Sequence, residues 1–184
     1  MKSRAFVFAA LLLATVSLSA QDSENKESIA YSNITEFGFV AASPRGFAWE
    51  GTTVNGFSID KRHCLGLGLG FGYLLQTGDD EFFSTHTPVF LNYRVYFRPE
   101  KPFSPHVNIA MGGVIVRDGG GLYSALTMGF KSKKFTFSSG FSFMAIKGEK
   151  DVYGYDDWEY YHHLKTVPAW YYPFGIVLKC GFTF

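Results

Sequence analysis

Cysteine is nearly absent, at two residues in 184, and proline is sparse at seven. Two cysteines cannot staple a small disulfide scaffold. So few prolines beside 20 glycines exclude a collagen-like or linker-like chain. Charge is also scarce: Asp, Glu, Lys and Arg make up 18%, the formal net charge is +1, and no basic block occurs. That argues against a nucleic-acid partner. With 47% hydrophobic residues the chain is too apolar to be disordered. Beyond residue 20 no apolar run reaches the length of a spanning helix, and almost no helical period is found. What is abundant is aromatic side chain (18%, with 20 Phe) together with glycine. The length suggests one domain.

Met1 to Ala20 have the layout of a secretory signal. Lys2 and Arg4 precede an apolar run from Ala5 to Val16, and the small residues Ser17, Ser19 and Ala20 close it. Cleavage is expected after Ala20. An uncleaved anchor is the lesser alternative, because the run is short and the polar Gln21-Asp22-Ser23-Glu24 follows at once. The expected division is a signal peptide at 1–20, a polar leader at 21–32 and one folded unit at 33–184. Without Lys2 and Arg4 the 17 basic residues fall to 15 against 16 acidic ones, so the exported chain is nearly neutral.

The dominant pattern has period two. Leu65 to Tyr73 alternates Leu or aromatic residues with four glycines. Phe135 to Phe143 sets Phe against Thr, Ser and Gly. In Phe174 to Phe184 one face is Phe174, Ile176, Leu178, Cys180, Phe182 and Phe184. Weaker alternation covers Ile34–Ala42, Val54–Lys61, Val89–Phe97, His106–Val116 and Leu122–Phe130. The sum is eight strands. Three connections look short and polar (Arg62 to Cys64, Arg98 to Ser104, Lys131 to Lys134). Three look long (Ser43 to Thr53, Gln76 to Thr87, Lys147 to Tyr172), and Asp118-Gly119-Gly120 breaks the alternation. An even number of alternating strands with unequal ends predicts an all-β fold, an eight-stranded antiparallel up-and-down transmembrane β-barrel. A soluble lipocalin-like barrel would carry Lys, Glu and Thr on the face opposite the apolar one. Here that face is Gly, Ser, Thr and Ala, which suit a narrow interior.

The signal layout, the Leu-Gly repeat at Leu65 to Gly72 and the closing Lys179-Cys180-Gly181-Phe182-Thr183-Phe184 resemble the small outer-membrane β-barrel domain family of Gram-negative bacteria, the porin-family or outer-membrane-protein-X-like proteins. The resemblance covers about Ile34 to Phe184. It implies residence in the bacterial outer membrane, with outer-membrane lipid and lipopolysaccharide as surroundings. It also implies that Phe184, with Phe182, is the assembly signal read by the barrel-assembly machinery. It does not imply one activity, because this barrel hosts enzymes, adhesins, tethers and channels.

If the large apolar residues face lipid, parity places Glu36, Asp60, Arg94 and Lys179 in the lumen, with Asn92, Tyr96, His106, Asn108 and Tyr123. Confined charges should pair, since an isolated buried charge is costly. The expectation is a lumen charge network of Glu36, Asp60, Arg94 and Lys179 that plugs the barrel, with Gly66 to Gly72 leaving room for Arg94 and Tyr96. A gated polar path is the alternative. Ser84 and His86 near Asp79, Asp80 and Glu81, or His162 and His163 near Asp156, Asp157 and Glu159, could serve a lipid-modifying enzyme. The His-any-Ser strand motif of outer-membrane deacylases is missing, so no catalytic residue and no enzyme activity is expected. The acidic clusters match no calcium loop, so no metal or cofactor is expected. Cys64, read as a turn residue, and Cys180, facing lipid, should not bridge. Tyr153, Tyr155, Trp158, Tyr160, Tyr161 and His162 crowd the last long loop, where they could contact a surface ligand or pack as a hairpin extension. The reading is a monomeric barrel with a filled lumen and a structural or adhesive role through its outer loops. A narrow solute channel is second and a lipid-modifying enzyme third.

Overall fold

The computed structural model describes residues 29–43, 46–76, 82–117, 119–155 and 161–184, with the backbone path alone at 42–43, 76, 82–84, 148–155 and 161–169. The expected signal peptide and most of the expected leader lie outside the described residues, as do 79–81 and 156–160. No helix occurs among the described residues. There are nine β-segments: β1 Ile29–Ser43, β2 Gly46–Ile59, β3 His63–Gln76, β4 Phe82–Tyr96, β5 Phe103–Val116, β6 Gly119–Ser132, β7 Phe135–Tyr155, β8 Tyr161–Tyr171 and β9 Phe174–Thr183.

All pairings are antiparallel. β1 to β7 pair in sequence order, and β9 closes the sheet between β7 and β1. This is a closed eight-stranded up-and-down barrel. β8 and β9 share one barrel position in series. β9 pairs with Phe135–Phe143 of β7, and β8 with Ile146–Tyr155. Above Lys147, β7 pairs with β8 alone, so the two continue as a hairpin past the rim where β1 ends opposite Phe174. Closure leaves no open edge within the eight-stranded wall itself. The first part of β1 and the last residue meet at one end, where Asn33 and Phe184 exchange two backbone hydrogen bonds of 3.0 and 2.8 Å.

The expected long loops are mostly strand. Ser43 to Thr53 shrinks to 44–45, because Phe47 and Trp49 alternate with Ala48, Glu50 and Thr52 and carry β2 up to Gly46. Gln76 to Thr87 shrinks to 77–81. Pro88, which has no N–H to give, looks like a strand boundary but sits inside β4, opposite Val114 of β5. Lys147 to Tyr172 is the β7–β8 hairpin, with a register shift at Val152/Tyr153. The leader is also shorter than expected, since β1 takes in Ile29 to Ser32. The ends therefore differ in strand extension more than in loop length.

The two faces follow the sequence parity. Leu67, Leu91, Met111, Met128, Phe141 and Ile176 point outward and stay exposed, while Arg94, Tyr123, His86 and His106 point inward and are buried. β9 alternates exposed and buried without a break, with Gly175, Val177, Lys179, Gly181 and Thr183 inside. The core is thus the lumen of the barrel.

Candidate functional site: the packed lumen

Two tiers of charge cross the lumen. In the tier farther from the termini, register aligns Lys179 of β9, Gly38 of β1, Glu50 of β2, Gly72 of β3 and His86 of β4 in one row. Glycine separates the charged residues, and sterics explain why. A Cβ on Gly38 would stand 2.8 Å from Lys179 Cγ, and one on Gly72 would stand 2.5 Å from His86 Nε2. With hydrogens there instead, Lys179 passes over β1 and its Nζ reaches Glu50 Oε1 at 2.5 Å. Tyr123, from the opposite wall on β6, donates to the same oxygen at 3.0 Å. His86 Nε2 lies 4.0 Å from Glu50 Oε2, beyond hydrogen-bond range.

Nearer the termini, Arg94 of β4 spans the lumen to β1, where its Nη2 donates to Glu36 Oε1 at 2.8 Å. Its Nε donates to Asn108 Oδ1 at 3.3 Å. Glu36 also accepts from the Thr136 hydroxyl at 3.3 Å. Gly181 lies between Glu36 and Thr136 in register, and a Cβ there would meet Glu36 Cγ at 2.8 Å. His106 contacts the Ser138 hydroxyl at 3.1 Å and packs against the Tyr96 ring. Lys131 Nζ also sits over that ring, 5.3 Å from its centroid. Between the tiers the Phe90 ring fills the space over Gly68 and packs on Tyr123 at 5.3 Å.

Of the four residues expected to form one network, Glu36, Arg94 and Lys179 lie in the lumen and Asp60 does not. Asp60 follows the end of β2, exposed in a turn at φ 52°, with Lys61 at φ 54°. The strand parity that placed it inside ends at Ile59, and Asp tolerates this left-handed backbone better than most residues. Lys179 pairs with Glu50 instead, a residue inside the expected Ser43 to Thr53 loop. The Phe47–Trp49 alternation is the signal that would have found it. Arg94 and Tyr96 are not the groups that occupy the glycine face of β3. Phe90 lies over Gly68, Pro88 and Thr52 over Gly70, and His86 over Gly72.

His86 is not a rim residue beside Ser84. It is buried in the lumen, and the Ser84 side chain lies outside the described residues. The expected contact residues Tyr153, Tyr155, Tyr161 and His162 have their backbone in the β7–β8 hairpin with side chains outside the described residues; Trp158 and Tyr160 lie outside them altogether. Cys64 is the second residue of β3 and buried, rather than a turn residue, while Cys180 is exposed on the outer face, and both are free. Phe182 and Phe184 stand outward on the last strand, their rings 6.4 Å apart. No group of three or more His, Cys, Asp or Glu side chains placed to hold a metal occurs among the described residues.

No protein-family model matches the chain, and no curated protein is significantly similar to it. The functional argument therefore rests on the geometry. Two buried ion pairs, one aromatic stack and their hydrogen bonds tie β1, β2 and β9 to β4 and β6 through the barrel axis. Such an arrangement cross-braces a cylinder.

The outer wall carries one feature of its own. Asn33–Asn55 and Thr35–Thr53 are cross-strand pairs on the outside of β1 and β2, joined by hydrogen bonds of 2.8 to 3.2 Å, and Tyr31 donates to Asn55 at 2.5 Å. Next to them, outward Gly51 leaves an open groove of about 700 Å³ between Phe37, Trp49, Leu67 and Phe71.

Proposed function

We propose that the chain is an integral barrel of the Gram-negative outer membrane, closed by its own side chains, with a structural or adhesive role carried beyond the membrane. The observation that supports this best is the inversion of the barrel. Leu67 is 65% exposed, Met128 64% and Met111 63%, while Arg94 is 0% and Glu50 2% exposed. A soluble barrel has the opposite arrangement, and an apolar wall this wide, interrupted by the polar pairs on β1 and β2, suits hydrocarbon rather than water. Strands of 14 to 15 residues fit as well. At about 3.4 Å per residue and a tilt of about 40° they stand about 35 Å tall, enough for an apolar band of about 25 Å. At the far rim the outward rings of Trp170 and Tyr172 stack at 6.2 Å, as interfacial aromatics do.

The β7–β8 hairpin, rising past the rim, supports the surface role. Two experiments test the reading. The folded protein should fractionate with outer membranes and run as a heat-modifiable band, and it should give no steady conductance in planar bilayers. A water-soluble folded form refutes the membrane assignment, and an ohmic channel refutes the filled lumen. Replacing 148–169 by a short turn should leave the barrel folded and abolish cell-surface attachment. Attachment that survives the replacement refutes the hairpin's role.

A further inference from the structure

At the termini end the barrel carries an arc of cations. Lys61 and Arg62 occupy the β2–β3 turn, Arg98 and Lys101 the β4–β5 turn, and Lys133 and Lys134 the β6–β7 turn, and all six are exposed. Backbone hydrogen bonds tie each turn into the end of the barrel: Tyr96 N to Arg62 O at 2.8 Å, Lys133 N to Pro102 O at 3.1 Å, and Thr183 N to Lys134 O at 2.7 Å. Among the described residues the acids at this end are Asp60, Glu100 and the carboxylate of Phe184, and in sequence the segment that leads into β1 adds Asp22, Glu24 and Glu27 beside Lys26. Among the described residues none of the six cations has an ion-pair partner. The far end has the opposite sign in its sequence. Its connections, 44–45, 77–81, 117–118 and 156–160, hold Asp79, Asp80, Glu81, Asp118, Asp156, Asp157 and Glu159 against Arg45 and Arg117.

Directly beside the arc, on the outer wall, stand Phe57, Phe97, Phe103, Phe135 and Phe184, each at least half exposed. Lys134 Nζ lies 5.7 Å from the centroid of the Phe184 ring. A belt of aromatics bordered by lysine and arginine is the order of groups met on passing from hydrocarbon into the headgroup layer. The cations come from three turns spread around the rim. They therefore suit a ring of separate anions at one height rather than a single compact ligand.

We propose that this rim docks the phosphates of anionic phospholipids in the leaflet that faces the termini, and that the acidic far end leaves the opposite leaflet without such a contact. The inference rests on the membrane reading above. Its test reconstitutes the full-length mature chain in phosphatidylcholine vesicles with a minority of phosphatidylglycerol. Heat-modifiable mobility confirms insertion first, so a chain that does not insert refutes the membrane reading and not the docking rim alone. Spin-labelled phosphatidylglycerol and phosphatidylcholine then report association with the barrel. One lysine–headgroup contact of about 1 kcal/mol corresponds to about a fivefold preference for the anionic lipid at the contacted site.

That preference should fall toward parity at high salt. It should also vanish in a variant carrying Lys61→Asn, Arg62→Gln, Arg98→Gln, Lys101→Gln, Lys133→Asn and Lys134→Gln. Asn is chosen at 61 and 133 because their φ angles are 54° and 55°. The far-end variant Arg45→Gln/Arg117→Gln should keep the preference. Equal association of both lipids with the inserted parent overturns the proposal, as does a preference that survives in the turn variant. Displacement by inorganic phosphate beyond that by chloride at equal ionic strength assigns the rim to a soluble phosphate and overturns it too.

Discussion

Removing Arg94 is the sharpest perturbation the lumen offers. Its side chain is fully buried, and its guanidinium meets Glu36 at 2.8 Å across the bore. In Arg94→Met the stem is replaced but the charge is gone, and the Glu36 carboxylate keeps the Thr136 hydroxyl, at 3.3 Å, as its remaining side-chain donor. Breaking a buried pair by deleting one partner costs about 3–5 kcal/mol, most of it the stranded charge. Arg94→Met should therefore lower barrel stability by about that amount in urea unfolding from lipid vesicles. Adding Glu36→Gln removes the stranded charge and should recover more than half of the loss. About 1–2 kcal/mol should remain for the lost bond to Asn108 and the altered packing. Glu50→Gln, from the other tier, should not rescue Arg94→Met to that extent, because Glu50 pairs with Lys179. A loss below about 1 kcal/mol would mean that solvent carries the Glu36 charge and that the pair does not brace the barrel. If conductance rose at the same time, the lumen would be a gated path rather than a plug.

Gly68→Ala would set a Cβ 2.2 Å from the Phe90 ring, which is itself backed by Tyr123, so it should destabilise by about 1–3 kcal/mol in the same unfolding assay; the addition of Phe90→Leu should restore part of it. Phe141→Arg, on the outer wall near mid-height, should cost about 2–4 kcal/mol in lipid. Unchanged stability of that variant would mean that the wall does not face hydrocarbon. Deleting Phe184 removes an outward ring and the two backbone hydrogen bonds with Asn33, and should lower the heat-modifiable fraction recovered from outer membranes. Undiminished recovery would separate the C-terminal aromatic from assembly.

Period two in the sequence was enough for strand identity and face, because side chains of an extended chain must alternate. Leu65 to Tyr73 and Phe174 to Phe184 could be read correctly with no partner in view. Strand length was harder to read. Polar and small residues such as Glu50, Gly51 and Thr52 look like loop when their neighbours across the sheet are unknown, and Pro88 looks like a boundary. The same limit hid half of the charged site. Parity can say that Lys179 faces inward, but not which acid it meets.

The partner is set by register, which aligns Lys179, Gly38 and Glu50 across three strands 141 residues apart in sequence at the extremes. The sequence by itself determined the β-class, the number of barrel positions, the apolar wall and the inward parity of Glu36, Arg94 and Lys179. Only the tertiary structure decided the pairing of Arg94 with Glu36 and of Lys179 with Glu50, the exclusion of Asp60 and the seating of Phe90 over Gly68. The physical reason is that alternation is a property of one strand. Pairing depends on how eight strands slide and close upon one another, and that is a choice made between segments far apart in the chain.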